Sequence, residues 1–246
     1  MSPTNKYTPN NGRNFGEIIA EIDDIENLSC LDMFAREGDW QGINIYERCL
    51  SYEAWEIDKE YIPALKKNLP SATVHCRDSV EFTNNLAPVY KKFYPKFDII
   101  QIDAPLNSFG SVGQYSEHFD VMANVPALAK DIWYAIFNVV KQPYDYRGNT
   151  KWQMRRMEFY NLADDGSKLN MAYVEEFYKS YFSQLGYDTE KYKAVVRETK
   201  NSVDYFYSVV MKLKRRPTGI KGDVTPIEVT EGLYGYTASP EIADLN

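Results

Sequence analysis

Three acidic residues stand where short apolar runs stop. Asp32 follows Leu28-Ser-Cys-Leu31, Glu56 follows Tyr52-Glu-Ala-Trp55, and Asp103 follows Phe97-Asp-Ile-Ile-Gln-Ile102. The pattern predicts parallel strands whose carboxyl ends share one edge, where open α/β sheets bind ligands. A fourth acid, Asp78, follows the run Ala72 to Cys76 and precedes Ser79. Carboxylates at such an edge accept hydrogen bonds from hydroxyls, amines and backbone N–H groups. Each acid also has a plainer role open to it. Asp32 and Asp78 could simply cap helices, and Glu56 could be a solvated strand end.

The turn after the first run reads Asp32-Met-Phe-Ala-Arg-Glu-Gly38. A dinucleotide site needs Gly-x-Gly-x-x-Gly here, so that backbone can approach a pyrophosphate. Only Gly38 is present, which disfavours nicotinamide and flavin dinucleotides. The histidines, His75 and His118, are far apart in sequence, and no Cys/His cluster has metal spacing, so no metal is expected. Cys30, Cys49 and Cys76 form no close pair, which fits free thiols, a reducing compartment and a cytoplasmic location. Met1 to Thr8 has no apolar core of a secretory signal, and no apolar run reaches membrane-span length. The net charge of −7 gives the whole chain no general attraction for nucleic acid.

The elements that would position these acids alternate along the chain. Apolar residues at 15, 18, 19, 22 and 25 predict a helix from Phe15 to Ile25. A strand is expected over 28–34, then a helix over 38–50 with Trp40, Ile43, Tyr46 and Leu50 inward. The strand Tyr52 to Ile57 leads to Asp58, placed to cap a helix that carries Tyr61, Ile62, Leu65 and Leu69. Ala72 to Cys76 is a short strand, Asp78-Ser79 opens a helix, and Phe97 to Ile102 is apolar enough for a central strand. A helix over Phe119 to Ala129 is divided at Pro126, and Ile132 to Val140 is the fifth strand. Residues 141–170 interrupt the alternation as a long insert or lid. A helix from Met171 to Leu185 ends at Gly186, and Tyr192 to Arg197 with Val203 to Leu213 reads as a hairpin. Residues 1–214 are expected to form one domain, with 215–246 an acidic C-terminal arm.

The turn resembles the first motif of class I S-adenosylmethionine (SAM)-dependent methyltransferases, in the form Leu-Asp-x-Phe-Ala-Gly-x-Gly. Asp32, Phe34, Ala35 and Gly38 match it, while Arg36 stands at a glycine. The resemblance covers roughly residues 15 to 214. It implies a doubly wound, seven-stranded, mostly parallel sheet with an antiparallel final strand. It also implies a cofactor site in which Glu56 accepts from the ribose hydroxyls and Ile57 packs on adenine. Asp78 and Ser79 would meet the adenine edge, and Asp32, Phe34, Ala35 and Gly38 would shape the turn. Asp103-Ala-Pro105 falls at the family's catalytic position, where Asp103 would border the cofactor and orient the acceptor beside Pro105. Leu106 stands where cytosine-C5 enzymes of RNA carry a nucleophilic cysteine, so transfer to nitrogen or oxygen is the expected chemistry.

The clue to substrate is Lys141 to Tyr160, where Arg147, Lys151, Arg155 and Arg156 interleave with Tyr146 and Trp152. Basic groups for phosphates and rings for bases suit single-stranded or flipped-base nucleic acid. Phe109 and Tyr115 are candidate stacking rings from the loop after Asp103. The expected function is thus methylation of a nucleic-acid base or related heterocycle. Two alternatives stand beside it. One is a small-molecule methyltransferase with 141–170 as lid. The other is a non-catalytic scaffold in which Arg36 obstructs the pocket and the insert or acidic tail binds a protein.

Overall fold

The computed structural model describes residues 15–39, 41–85, 94–102, 118–140, 150–162, 169–198 and 204–217. Strand β1 (Ser29–Asp32) lies between β2 (Ser51–Glu56) and β4 (Phe97–Ile102), parallel to both. Beyond β2 is β3 (Thr73–Cys76), and beyond β4 is β5 (Ala129–Val140), again parallel. Antiparallel pairing then adds β7 (Asp204–Arg215) to β5 and β6 (Tyr187–Glu198) to β7. The order β3-β2-β1-β4-β5-β7-β6 makes the seven-stranded sheet expected from the sequence, with β7 antiparallel. The chain turns outward in one direction after β1 and returns to its other side with β4. The β1/β4 junction is therefore the switch point at which such sheets open a crevice.

The period-two alternation of the strands divides the core into two layers. On one face Cys30, Tyr52, Ala54, Ile99 and Ile136 meet α1 (Phe15–Ala20), α2 (Gly42–Tyr46) and α3 (Ile62–Asn68). On the other, Leu31, Trp55, Ile100, Ile102, Trp133 and Phe137 meet α5 (Phe119–Met122), α6 (Thr150–Tyr160) and α7 (Met171–Gln184). Residues from α4 (Ser79–Asn85) flank this second layer through Val80 and Phe82. Much of that layer is aromatic. Tyr160, Tyr178, Phe137 and Phe182 are wholly buried, each stabilising the fold by about 1.5–3 kcal/mol.

Several elements differ from the sequence expectation. The first helix stops at Ala20, and Asp24 in left-handed geometry (φ 49°) starts a separate 3-10 turn, Ile25–Asn27. The helix expected over 38–50 is only Gly42–Tyr46, because residues 35–38 close a turn (Gly38 N–H to Ala35 O, 2.8 Å). Leu50 is 71% exposed and not inward. Asp58 accepts from Glu60 N–H in a local turn, and Tyr61 is the residue that precedes α3. Pro126 lies in a 3-10 turn, Val125–Ala127, and β5 starts at once after it, at Ala129. Residues 150–160 of the insert form a helix. Its apolar residues at 152, 154, 157, 159 and 160 alternate with Lys151, Gln153, Arg155, Arg156 and Glu158 and form no single clean stripe, so periodicity does not reveal it. Trp40 and residues 218–246 lie outside the described residues.

Candidate functional site

The carboxyl ends of β1, β2 and β3 are joined by backbone hydrogen bonds that continue past the strands. Met33 N–H donates to Gln101 O (3.0 Å), Ala35 N–H to Trp55 O (2.9 Å) and Arg77 N–H to Glu56 O (2.8 Å). The β1 turn is thereby fixed to β4 on one side and β2 on the other.

Asp32 is buried at the foot of this turn. Its Oδ1 accepts from Phe34 N–H (3.2 Å), and its Oδ2 accepts from the Tyr52 hydroxyl (2.8 Å) and the Gln101 amide (3.4 Å). Burial first, then the Asp32 charge, pushes the Tyr52 hydroxyl well above its ordinary pKa and keeps it a donor. Gly42 roofs the group. A Cβ there would lie 2.5 Å from the Tyr52 oxygen and 2.6 Å from Asp32 Oδ2, so a side chain would break the bond. Sequence reasoning missed Tyr52, Gln101 and Gly42 as partners of Asp32. No motif links them, since they meet only through strand register.

Glu56 ends β2 almost wholly enclosed, and both of its oxygens bind turn amides. Arg36 N–H donates to Oε2 and Asp58 N–H to Oε1, each at 2.7 Å. Burial raises its pKa, and the two N–H bonds oppose that rise. A carboxylate offers about four acceptor positions, so lone pairs remain for a ligand. Beside it Ile57 is 38% exposed, an apolar surface at the strand end. Phe34 is half-buried and Ala35 buried in the turn.

Arg36 has φ 49°, a conformation that favours glycine. Its Nε lies 2.8 Å from Glu37 Oε2, and its guanidinium carbon 5.3 Å from the Tyr61 ring. Gly38 (φ +70°) is needed for packing as well as for conformation. A Cβ there would stand 2.7 Å from Leu65 Cδ1 and 2.9 Å from Leu69.

After β3, Asp78 Oδ1 accepts from Val80 N–H (2.8 Å) and Glu81 N–H (3.0 Å), so the acid does cap α4. Ser79 is buried, and its hydroxyl donates to Met33 O, tying the start of α4 to the β1 turn. That tie was not legible from the sequence.

The neighbouring end of the sheet is built from rings. Ile102, the last residue of β4, is in register with Phe137 of β5, and the His118 ring lies 5.3 Å from Phe137. His118 is buried among Phe119, Phe137, Phe159 and Tyr178, and its Nε2 hydrogen-bonds the Tyr178 hydroxyl. That hydroxyl is 3.1 Å from the Tyr160 hydroxyl, while His118 Nδ1 has no hydrogen-bond partner among the described residues. Burial, with Arg156 nearby, pushes the His118 pKa down to about 3, so the ring is neutral at pH 7. Arg156, expected on an open basic face, is fully buried, its guanidinium carbon 5.5 Å from the Tyr160 ring. The close of α6 against α7 draws it inward with Phe159 and Tyr160. Asp103, Pro105, Phe109, Tyr115, Tyr146 and Arg147 lie outside the described residues, as do the side chains of Lys151, Trp152 and Arg155.

Among the described residues no group of three or more His, Cys, Asp and Glu side chains could hold a metal ion. No described helix is long and apolar enough to cross a membrane.

No family model matches the chain, and no curated protein matches its sequence. Solved structures do match it. A candidate SAM-dependent methyltransferase from Streptococcus mutans aligns with a TM-score of 0.52 at 9% identity, over 80% of this chain and 47% of that one. A candidate SAM-dependent methyltransferase from Listeria monocytogenes aligns with a TM-score of 0.50 at 13% identity, over 82% of this chain and 98% of that one. The fold is that of class I methyltransferases.

Proposed function

We propose that this chain, with its class I methyltransferase fold, binds SAM along the β1–β3 edge and methylates nitrogen or oxygen of a nucleic-acid base or related heterocycle. The observation that carries the reading is Glu56. An enclosed carboxylate, braced by an amide from each of two turns and flanked by exposed Ile57, suits a ribose diol beside an adenine ring. In this reading Asp78 accepts from the adenine amino group through the oxygen not used in capping, and Ser79 holds the turn beneath it. Asp32 works from below through Phe34 N–H, setting the turn that Ala35 and Gly38 keep narrow. When bound, the cofactor supplies a methyl group on a sulfonium, already reactive, so the chain's task is placement. Asp103 and Pro105, following Ile102, are the residues proposed to orient the acceptor. Phe109, Tyr115, Tyr146, Arg147, Lys151, Trp152 and Arg155 are proposed as its contacts.

Burial of Arg156 favours a second reading, a smaller acceptor enclosed by α6 as a lid, because it removes one cation from the face offered to phosphates. One experiment separates the two. The protein is incubated with methyl-tritiated SAM and, separately, total RNA, denatured DNA and a small-molecule extract. Label in nucleosides after digestion supports the first reading, and label only in the small-molecule fraction supports the second. Label in none of them contradicts the proposal.

A further inference from the structure

We propose that Glu37 and Tyr61 are positioning residues that hold the Arg36 guanidinium aside, and that this clamp keeps the β1 turn open to a cationic cofactor; the inference rests on the SAM reading above. Arg36 sits in left-handed geometry inside the turn, and its own N–H is bound to the acid proposed for the ribose. A long cation at that point can swing over the end of β1 or away from it. In this structure it lies away, on the α3 flank. Its Nε forms an ion pair with Glu37, and its guanidinium stands over Tyr61, the residue that precedes α3. The clamp is anchored. The Glu37 carbonyl accepts from the Asn68 amide at 2.7 Å, and Gly38 packs on Leu65 of the same helix and on Leu69, the residue that follows it. The pair also cancels charge. A guanidinium freed from Glu37 and standing about 12 Å from a sulfonium repels it, weakening binding on the order of tenfold at an effective dielectric of about 20. The demethylated product, S-adenosylhomocysteine, has an uncharged sulfur and escapes most of that repulsion.

The test is a double-mutant cycle read by equilibrium dialysis with SAM and with S-adenosylhomocysteine. The proteins are wild type, Glu37→Gln, Tyr61→Leu, Arg36→Gly and Arg36→Gly combined with each of the other two. Thermal unfolding confirms that each variant is folded, and glycine suits the Arg36 backbone. Glu37→Gln is expected to weaken SAM about tenfold and the product threefold or less. Tyr61→Leu is expected to do the same to a smaller degree, and neither change should matter once Arg36 is glycine. Equal losses for the two ligands, or equal losses with and without Arg36, overturn the clamp. So does SAM binding that appears only in Arg36→Gly, which would make the arginine an obstruction. SAM binding by neither wild type nor Arg36→Gly removes the cofactor reading itself, and the clamp with it.

Discussion

The β1–β3 edge and the β4–β5 edge belong to one sheet and are built in opposite ways. At the first, carboxylates are held mainly by backbone amides, with the Tyr52 hydroxyl and the Gln101 amide added at Asp32. Asp32 takes one N–H, Glu56 two and Asp78 two, all from residues a few positions away or from the adjoining turn. At the second, polar groups sink into rings. His118 and Arg156 lie fully enclosed among aromatic side chains of α5, α6, α7 and β5. A site made by turns leaves its acids facing the strand ends. A wall made by packing turns its polar residues inward, and composition alone does not say which arrangement is present.

The first edge is most sensitive at Gly42. If Asp32 depends on its buried partners, Gly42→Ala drives a methyl group into the Tyr52–Asp32 hydrogen bond. That should cost about 3 kcal/mol or more in chemical denaturation, from overpacking and loss of a bond to a charged group. A loss below 1 kcal/mol would mean that the group is loosely held.

The ring-built wall has its own test in acid. The folded-state pKa of His118, about 3, lies below its ordinary 6.5, so the unfolded chain binds the extra proton between those values. Stability from this group is complete above pH 6.5 and is lost as pH falls toward 3, by up to about 1.4 kcal/mol per pH unit. His118→Gln should flatten that part of the stability curve measured from pH 7 to 4. An unchanged slope would show that His118 is not enclosed as described.

Smaller effects sharpen the first edge. Asp78→Ser keeps a capping oxygen, so stability should change by about 0.5 kcal/mol or less. SAM affinity should nevertheless fall several-fold if Asp78 also meets the adenine. Affinity equal to wild type would leave Asp78 a cap and nothing more. Smallest of all, Leu50→Ser should shift stability by less than about 0.5 kcal/mol, because Leu50 faces solvent.

What the sequence revealed follows the same division. The seven strands and the places of the acids at 32, 56 and 78 after apolar runs were legible, because a parallel strand ends near where its apolar run ends, whereas β6 begins at Tyr187, five residues before the expected Tyr192. The Gly42–Tyr52–Asp32 contact and the Ser79–Met33 tie were not, because they join residues through register and helix placement. Helix α6 was read as loop, since basic and polar residues interrupt its apolar positions along its whole length. Its basic-aromatic composition pointed outward for Arg156, whereas the residue is buried beside the Tyr160 ring.

Whether Glu56 holds SAM is read by calorimetric titration of the cofactor into wild type and Glu56→Gln. Wild type should bind one equivalent. Glu56→Gln, which replaces one acceptor oxygen with a donor, should bind at least tenfold more weakly, about 1.4 kcal/mol, while still unfolding cooperatively. Equal binding by the two proteins, or none by wild type, would contradict a SAM site at Glu56.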